Sequence, residues 1–91
     1  MDKKAYQEKL EAQLKEWQAE IDKLKAQTQK KSADAKITYQ KKIDQLEQKM
    51  EQSKKKLATL KETGEDKWED VRKEVEMETN ELKAQLRDIF S

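Results

Sequence analysis

The sequence contains no histidine, no cysteine, no proline and only one glycine among its 91 residues. Without histidine and cysteine, the chain lacks the commonest general base, the thiol nucleophile and the soft metal ligands. The single glycine excludes a glycine-rich loop of the kind that holds phosphates, and the missing cysteines exclude a disulfide framework. We therefore expect a protein that is not an enzyme. We also expect no small-molecule substrate and no catalytic, cofactor-binding or metal-binding residues.

Long apolar runs are also missing. No segment approaches the roughly 18 apolar residues of a membrane-spanning helix. No apolar region of a secretory signal follows the first residues, so we expect a cytoplasmic protein. Charge is abundant instead, because 45% of the residues are charged and only 33% are hydrophobic, with a net charge of +1. This composition, rich in Lys, Glu, Ala and Leu, is typical of long helices and coiled coils.

One apolar stripe at helical spacing runs along the chain. Steps of three and four residues put its members on one side of an α-helix. On an isolated helix this stripe would face water, so it needs an apolar surface on another copy, another segment of the chain, a different protein or a lipid interface. We predict self-association and a homo-oligomer. Eighteen of the twenty-two large apolar residues form the stripe: Tyr6, Leu10, Leu14, Trp17, Ile21, Leu24, Tyr39, Ile43, Leu46, Met50, Leu57, Leu60, Trp68, Val71, Val75, Leu82, Leu86 and Ile89.

The stripe predicts an all-α fold in one helical unit of residues 1–91. The favoured form is an elongated coiled coil with one helix over about 3–62 and a second over about 65–90. A hinge at 63–65 would lie at the only glycine, which costs about 1 kcal/mol inside a helix. A second break near 28–33 would instead give an antiparallel hairpin or a three-helix bundle. Both forms stay open, as does the question whether the glycine bends the chain or lies in a continuous helix.

Charge is segregated along the chain. Residues 30–61 carry ten basic and four acidic side chains, whereas residues 62–91 carry five basic and ten acidic side chains. Opposite charges on two segments favour packing of the last segment against the middle one, within one chain or between copies.

Three charged or aromatic features bear on other functions. The acidic cluster at 65–70 complements the positive end of a helix that starts there and does not suit a metal ion, which needs ligands on several sides. The lysines at 54–56 have no interleaved aromatic residues, so specific nucleic-acid binding is not expected. Trp17 and Trp68 could anchor an amphipathic helix in lipid, which makes membrane-surface binding the main alternative. An adaptor that docks another helical protein is a further alternative.

Three stretches of the chain resemble a group of small bacterial coiled-coil proteins rich in Lys and Glu. The most specific elements are Leu14-x-x-Trp17 and Gly64-Glu-Asp-x-Trp68. The group occurs in cyanobacteria and proteobacteria, is mostly uncharacterised, and has members labelled stress-response proteins. The resemblance implies an all-α structural or assembly protein, related to stress, without catalytic or ligand-binding residues. It covers YQEKLEAQLKEWQAEIDKLKAQ (6–27), ADAKITYQKKIDQLEQKMEQSKKKLATLKETGEDKWEDVRKEVE (33–76) and NELK (80–83).

Overall fold

The chain folds into three consecutive α-helices. A computed structural model describes residues 2–90, so Met1 and Ser91, the ends of the predicted unit 1–91, lie outside the described residues. The all-α prediction is confirmed. The molecule is elongated, with principal extents of 51 × 20 × 17 Å. The helices are α1 (Lys3–Thr28), α2 (Ala33–Glu62) and α3 (Trp68–Phe90).

Helix α1 begins with a side-chain cap and ends with a buried, hydrogen-bonded threonine. The Asp2 carboxylate accepts a hydrogen bond of 2.7 Å from the backbone N–H of Ala5, which satisfies one of the free donors of the first turn. At the other end, the Thr28 hydroxyl donates to the carbonyl of Leu24 over 2.7 Å. This hydroxyl is buried, so its bond to the helix backbone allows a polar side chain to end the apolar face of α1.

The predicted single helix over 3–62 is wrong, because the chain turns between α1 and α2 at residues 29–32. Ser32 takes an extended backbone (φ −61°, ψ 161°), and its hydroxyl accepts from the N–H of Ala35, which caps α2. The chain has no large apolar side chain between Leu24 and Ile37, so a straight helix would bury nothing in this region. The alternative of a three-helix bundle, with turns near 28–33 and 63–65, is the observed fold.

Gly64 lies in the turn between α2 and α3 and not in a continuous helix. Thr63 leaves the helical region with an extended backbone (φ −77°, ψ 137°). None of the described residues, Gly64 included, has a positive φ, so a left-handed conformation does not explain the glycine. A Cβ at Gly64 would lie 3.1 Å from Oδ1 of Asp66, an exposed side chain that needs to move only slightly to make room.

Helix α2 is the central element. It packs against both α1 and α3, whereas α1 and α3 contact each other much less. Neighbouring helices are antiparallel, so the chain runs up, down and up. The α2–α3 pair confirms the predicted packing of the acidic last segment on the basic middle segment, and it does so within one chain. Lys49 pairs with Glu81 and lies 3.7 Å from Glu78, and Lys56 pairs with Glu74 over 3.2 Å.

The apolar stripe forms the core of this bundle. Fourteen of its eighteen residues are buried, and the other four pack partly buried against them: Trp17, Tyr39, Val71 and Ile89. Two large apolar residues outside the stripe, Ile37 and Met77, are 60% and 66% exposed. The apolar surface that the stripe requires is therefore supplied by other segments of the same chain.

Candidate interaction surface between α1 and α3

A cleft opens between α1 and α3 because these two helices pack on α2 more closely than on each other. Its volume is about 440 Å³. The stripe residues Trp17, from α1, and Leu86, from α3, contribute apolar walls, and Trp17 stays only partly buried. We call this opening the α1–α3 cleft, and its lining residues are Trp17, Glu20, Lys23, Lys83, Leu86 and Arg87.

The rim of the α1–α3 cleft carries charges of both signs. Glu20 supplies a negative charge on the α1 side, beside the positive charge of Lys23. On the α3 side, Lys83 and Arg87 flank Leu86 with two more positive charges. An apolar centre with a charged rim is the usual anatomy of a protein interface.

The other end of the α1–α3 interface is closed by an aromatic contact. The rings of Tyr6 and Trp68 lie 6.4 Å apart between centroids and are tilted by 42°. Arg72 lies beside this contact and pairs with Glu69 over 2.8 Å and with Glu76 over 2.5 Å. Burial raises the pKa of the Tyr6 hydroxyl, the charge of Glu76 raises it further, and Arg72 opposes both. The hydrogen bonds to Glu69 and Glu76 raise the pKa of Arg72.

Ion pairs outside the core set the register of α1 on α2. Glu11 pairs with Lys61 over 2.5 Å, and this hydrogen bond lowers the pKa of Glu11. Lys25 pairs with Glu47 over 2.7 Å, and the bond to Glu47 raises the pKa of Lys25. These four side chains are substantially exposed, so the pairs specify alignment more than they add stability.

Three small polar residues interrupt the core. Thr28 and Thr79 are buried, and their hydroxyls donate to the carbonyls of Leu24 and Glu76. Ser53 is fully buried, and its hydroxyl has no hydrogen-bond partner among the described residues. It lies on the stripe face of α2, seven residues after Leu46, so its burial follows from helical spacing.

The acidic side chains, the lysines at 54–56 and the two tryptophans meet different environments in the fold. Within residues 2–90, no three acidic side chains are arranged to hold a metal ion, and no helix is long and apolar enough to cross a bilayer. Among the lysines at 54–56, Lys56 is paired with Glu74. Trp68 is only 7% exposed, so the expectation that it anchors the chain in lipid does not fit this fold. Trp17 is the tryptophan that stays partly accessible.

The helical spacing of apolar residues predicts the apolar members of the α1–α3 cleft but not the charged residues of the cleft's rim. Trp17 and Leu86 belong to the predicted stripe, whereas Glu20, Lys83 and Arg87 looked like ordinary solvated charges. A partial signal exists for Glu20 and Lys83, because each lies three positions from a stripe residue on the same side of its helix. Which two edges meet depends on the arrangement of the three helices, and the spacing within one helix does not encode it.

No protein-family model, no curated protein and no solved structure matches this chain. The resemblance to small bacterial coiled-coil proteins therefore stays a prediction, and function has to be argued from the bundle and its α1–α3 cleft.

Proposed function

We propose that this chain is a non-enzymatic structural protein that associates with a second copy of itself. The α1–α3 cleft carries the proposal. At this cleft Trp17, a member of the predicted self-association stripe, stays partly exposed between two helices that scarcely touch. Most of the remaining stripe is already buried in the core of the bundle, so the association uses only this open side of the stripe.

The charges around the cleft favour a second copy as the occupant. A two-fold interface places each residue opposite a different residue of the same surface. Glu20 of one copy can then face Lys83 or Arg87 of the other, and the reverse contact forms at the same time. A rim with both signs is therefore complementary to itself. The open area is small, so we expect a weak and concentration-dependent dimer.

The physiological part of the proposal is supported by the sequence resemblance alone. By that resemblance the assembly works in bacteria and in response to stress. A bundle without a catalytic constellation suits such a role, because it contributes shape, charge and a contact surface.

The test compares a cleft variant with a matched surface variant. Trp17→Lys introduces a charge at the centre of the cleft, and Met77→Lys introduces the same charge at an exposed apolar residue outside it. Sedimentation equilibrium should give a mass that rises with concentration above the 10.8 kDa of one chain for the wild type and for Met77→Lys. Trp17→Lys should stay at the mass of one chain, because an unpaired charge in an apolar contact is costly.

A second variant tests the cleft even if Trp17→Lys does not fold. Glu20 is exposed, so Glu20→Lys leaves the core intact and makes the rim entirely positive. It should weaken the dimer while the circular dichroism spectrum and melting temperature stay close to those of the wild type. Equal masses for the wild type, Glu20→Lys and Met77→Lys across the concentration range would contradict the proposal.

A further inference from the structure

The turn between α1 and α2 is built from residues that also suit a helix. It contains Gln29, Lys30, Lys31 and Ser32, with no glycine or proline. Gln29 is still right-handed helical (φ −61°, ψ −21°). The N–H groups of Lys30 and Lys31 donate to the carbonyls of Gln27 and Thr28 over 3.1 and 3.0 Å. Helix-like hydrogen bonding thus continues past α1 until Ser32 adopts an extended backbone.

The turn between α2 and α3 is fixed more firmly. Thr63 is extended, and Gly64 follows it. The ammonium group of Lys3 donates to the carbonyls of Lys61 and Thr63 at the end of α2. A cation on these carbonyls stabilises the end of a helix. The α2–α3 hairpin therefore has a well-defined break, whereas the local signal for the α1–α2 break is one serine cap.

Helix α1 is attached to the bundle chiefly through α2. Its ion pairs Glu11–Lys61 and Lys25–Glu47 both lie on α2, and its contacts with α3 are few. Both ion pairs are centred on Lys36 in the sequence. If α1 and α2 formed one continuous helix, two copies of that helix could pair antiparallel about a two-fold axis near Lys36. Each ion pair would then form twice, each time between residues of different copies.

We propose that two copies of this chain exchange α1. Residues 29–32 become helical, α1 and α2 join into one helix of 60 residues over 3–62, and α1 of each copy packs on α2 and α3 of the other. The joined helix would be about 90 Å long. The exchanged dimer buries the same apolar stripe as the closed chain, which is the usual basis of domain swapping. This exchange goes beyond contact through the α1–α3 cleft and does not require it.

Lysines near the two-fold axis oppose the exchange. Lys31 lies seven residues after Leu24, so in a continuous helix it would occupy a position of the apolar stripe. In the closed chain its ammonium group instead lies 4.6 Å from the centroid of the Tyr39 ring, at the edge of the core. Antiparallel pairing about Lys36 would also bring Lys31 of one copy towards Lys41 of the other. Salt screens this repulsion, so the exchanged fraction should rise with both concentration and salt.

Zero-length cross-linking of mixed copies tests the proposal directly. Chains with and without ¹⁵N label are refolded together, and a carbodiimide then joins paired ammonium and carboxylate groups. Peptides that join Lys25 to Glu47 should contain one labelled and one unlabelled arm in the exchanged dimer. The internal control is the Lys49–Glu81 peptide, which joins α2 to α3 of one chain in both forms and should never be mixed.

Variants of the turn should either raise or lower the fraction of chains that exchange α1. Ser32→Ala removes the cap of α2. This should shift the equilibrium from the closed chain towards the exchanged dimer by about fivefold for each chain, and so by about 25-fold for the dimer. Lys31→Leu completes the stripe and should also favour exchange, whereas Lys30→Gly disfavours a continuous helix and should lower it.

The outcomes separate this inference from association through the cleft. Mixed Lys25–Glu47 peptides that increase with concentration, salt and Ser32→Ala would establish the exchange. A dimer whose Lys25–Glu47 peptides are never mixed, even at millimolar concentration and in Ser32→Ala, would overturn the exchange and leave cleft-mediated association standing. Unmixed Lys25–Glu47 peptides from a chain that also stays monomeric would overturn both.

Discussion

Ser53 is the residue whose environment fits it least. Its side chain is fully buried, yet its hydroxyl has no hydrogen-bond partner among the described residues. Thr28 and Thr79, which are also buried, both donate to carbonyls of their own helices. A buried polar group without a partner costs about 1 to 3 kcal/mol. A small polar residue at this stripe position therefore reduces the stability of the closed bundle.

Replacing Ser53 with alanine should stabilise the protein. Ser53→Ala removes the unpaired hydroxyl and leaves the volume almost unchanged, so we expect a gain of about 1 kcal/mol or more. For a domain of this size, that corresponds to a rise of about 4–8 °C in melting temperature. Ala58→Ser, at an exposed position of the same helix, measures the part of the effect that comes from helix propensity alone. A gain for Ser53→Ala no larger than the loss for Ala58→Ser would argue against a buried, unpaired hydroxyl.

At the scale of the helices, α1 and α3 are the pair held together least. Their described side-chain contact is the ring pair Tyr6–Trp68, at the end of the bundle opposite the α1–α3 cleft. Burial raises the pKa of the Tyr6 hydroxyl, and the negative charge of Glu76 adds to this effect. A raised pKa means that the folded chain favours the neutral phenol. The neutral phenol therefore contributes fully to stability below the pKa of tyrosine in the unfolded chain, about 10. This contribution is lost as the pH rises through the higher pKa of Tyr6 in the folded chain.

Alkaline titration should consequently loosen the start of α1 from α3. In the Tyr39→Phe variant, absorbance at the tyrosinate band reports Tyr6 alone. Its titration midpoint should be higher in the native chain than in concentrated urea, where burial is lost. Tyr6→Phe should remove the corresponding change in Trp68 fluorescence above about pH 10. Identical midpoints with and without urea would show that Tyr6 is not buried against Trp68 in solution.

For the whole molecule, local periodicity predicted the content of the core but not the path of the chain. All eighteen stripe residues lie in or against one core, because the spacing that selects them is a property of each helix. The break at 29–32 was not favoured, since Gln29, Lys30 and Lys31 are all compatible with a helix. The bend depends on the burial that α1 gains by folding back onto α2, a tertiary effect that local residue preferences do not contain. The α1–α3 cleft was missed for the same reason.

The central claim is that one chain covers its own apolar stripe by folding into three helices. Small-angle X-ray scattering of a dilute solution tests it most directly, because the closed bundle and a chain with a continuous helix over 3–62 differ greatly in length. The closed bundle should give a radius of gyration close to the 15.0 Å of the Cα atoms and a longest dimension near their extent of 51 Å. A longest dimension approaching the roughly 90 Å of a 60-residue helix, at the scattering mass of one chain, would contradict it.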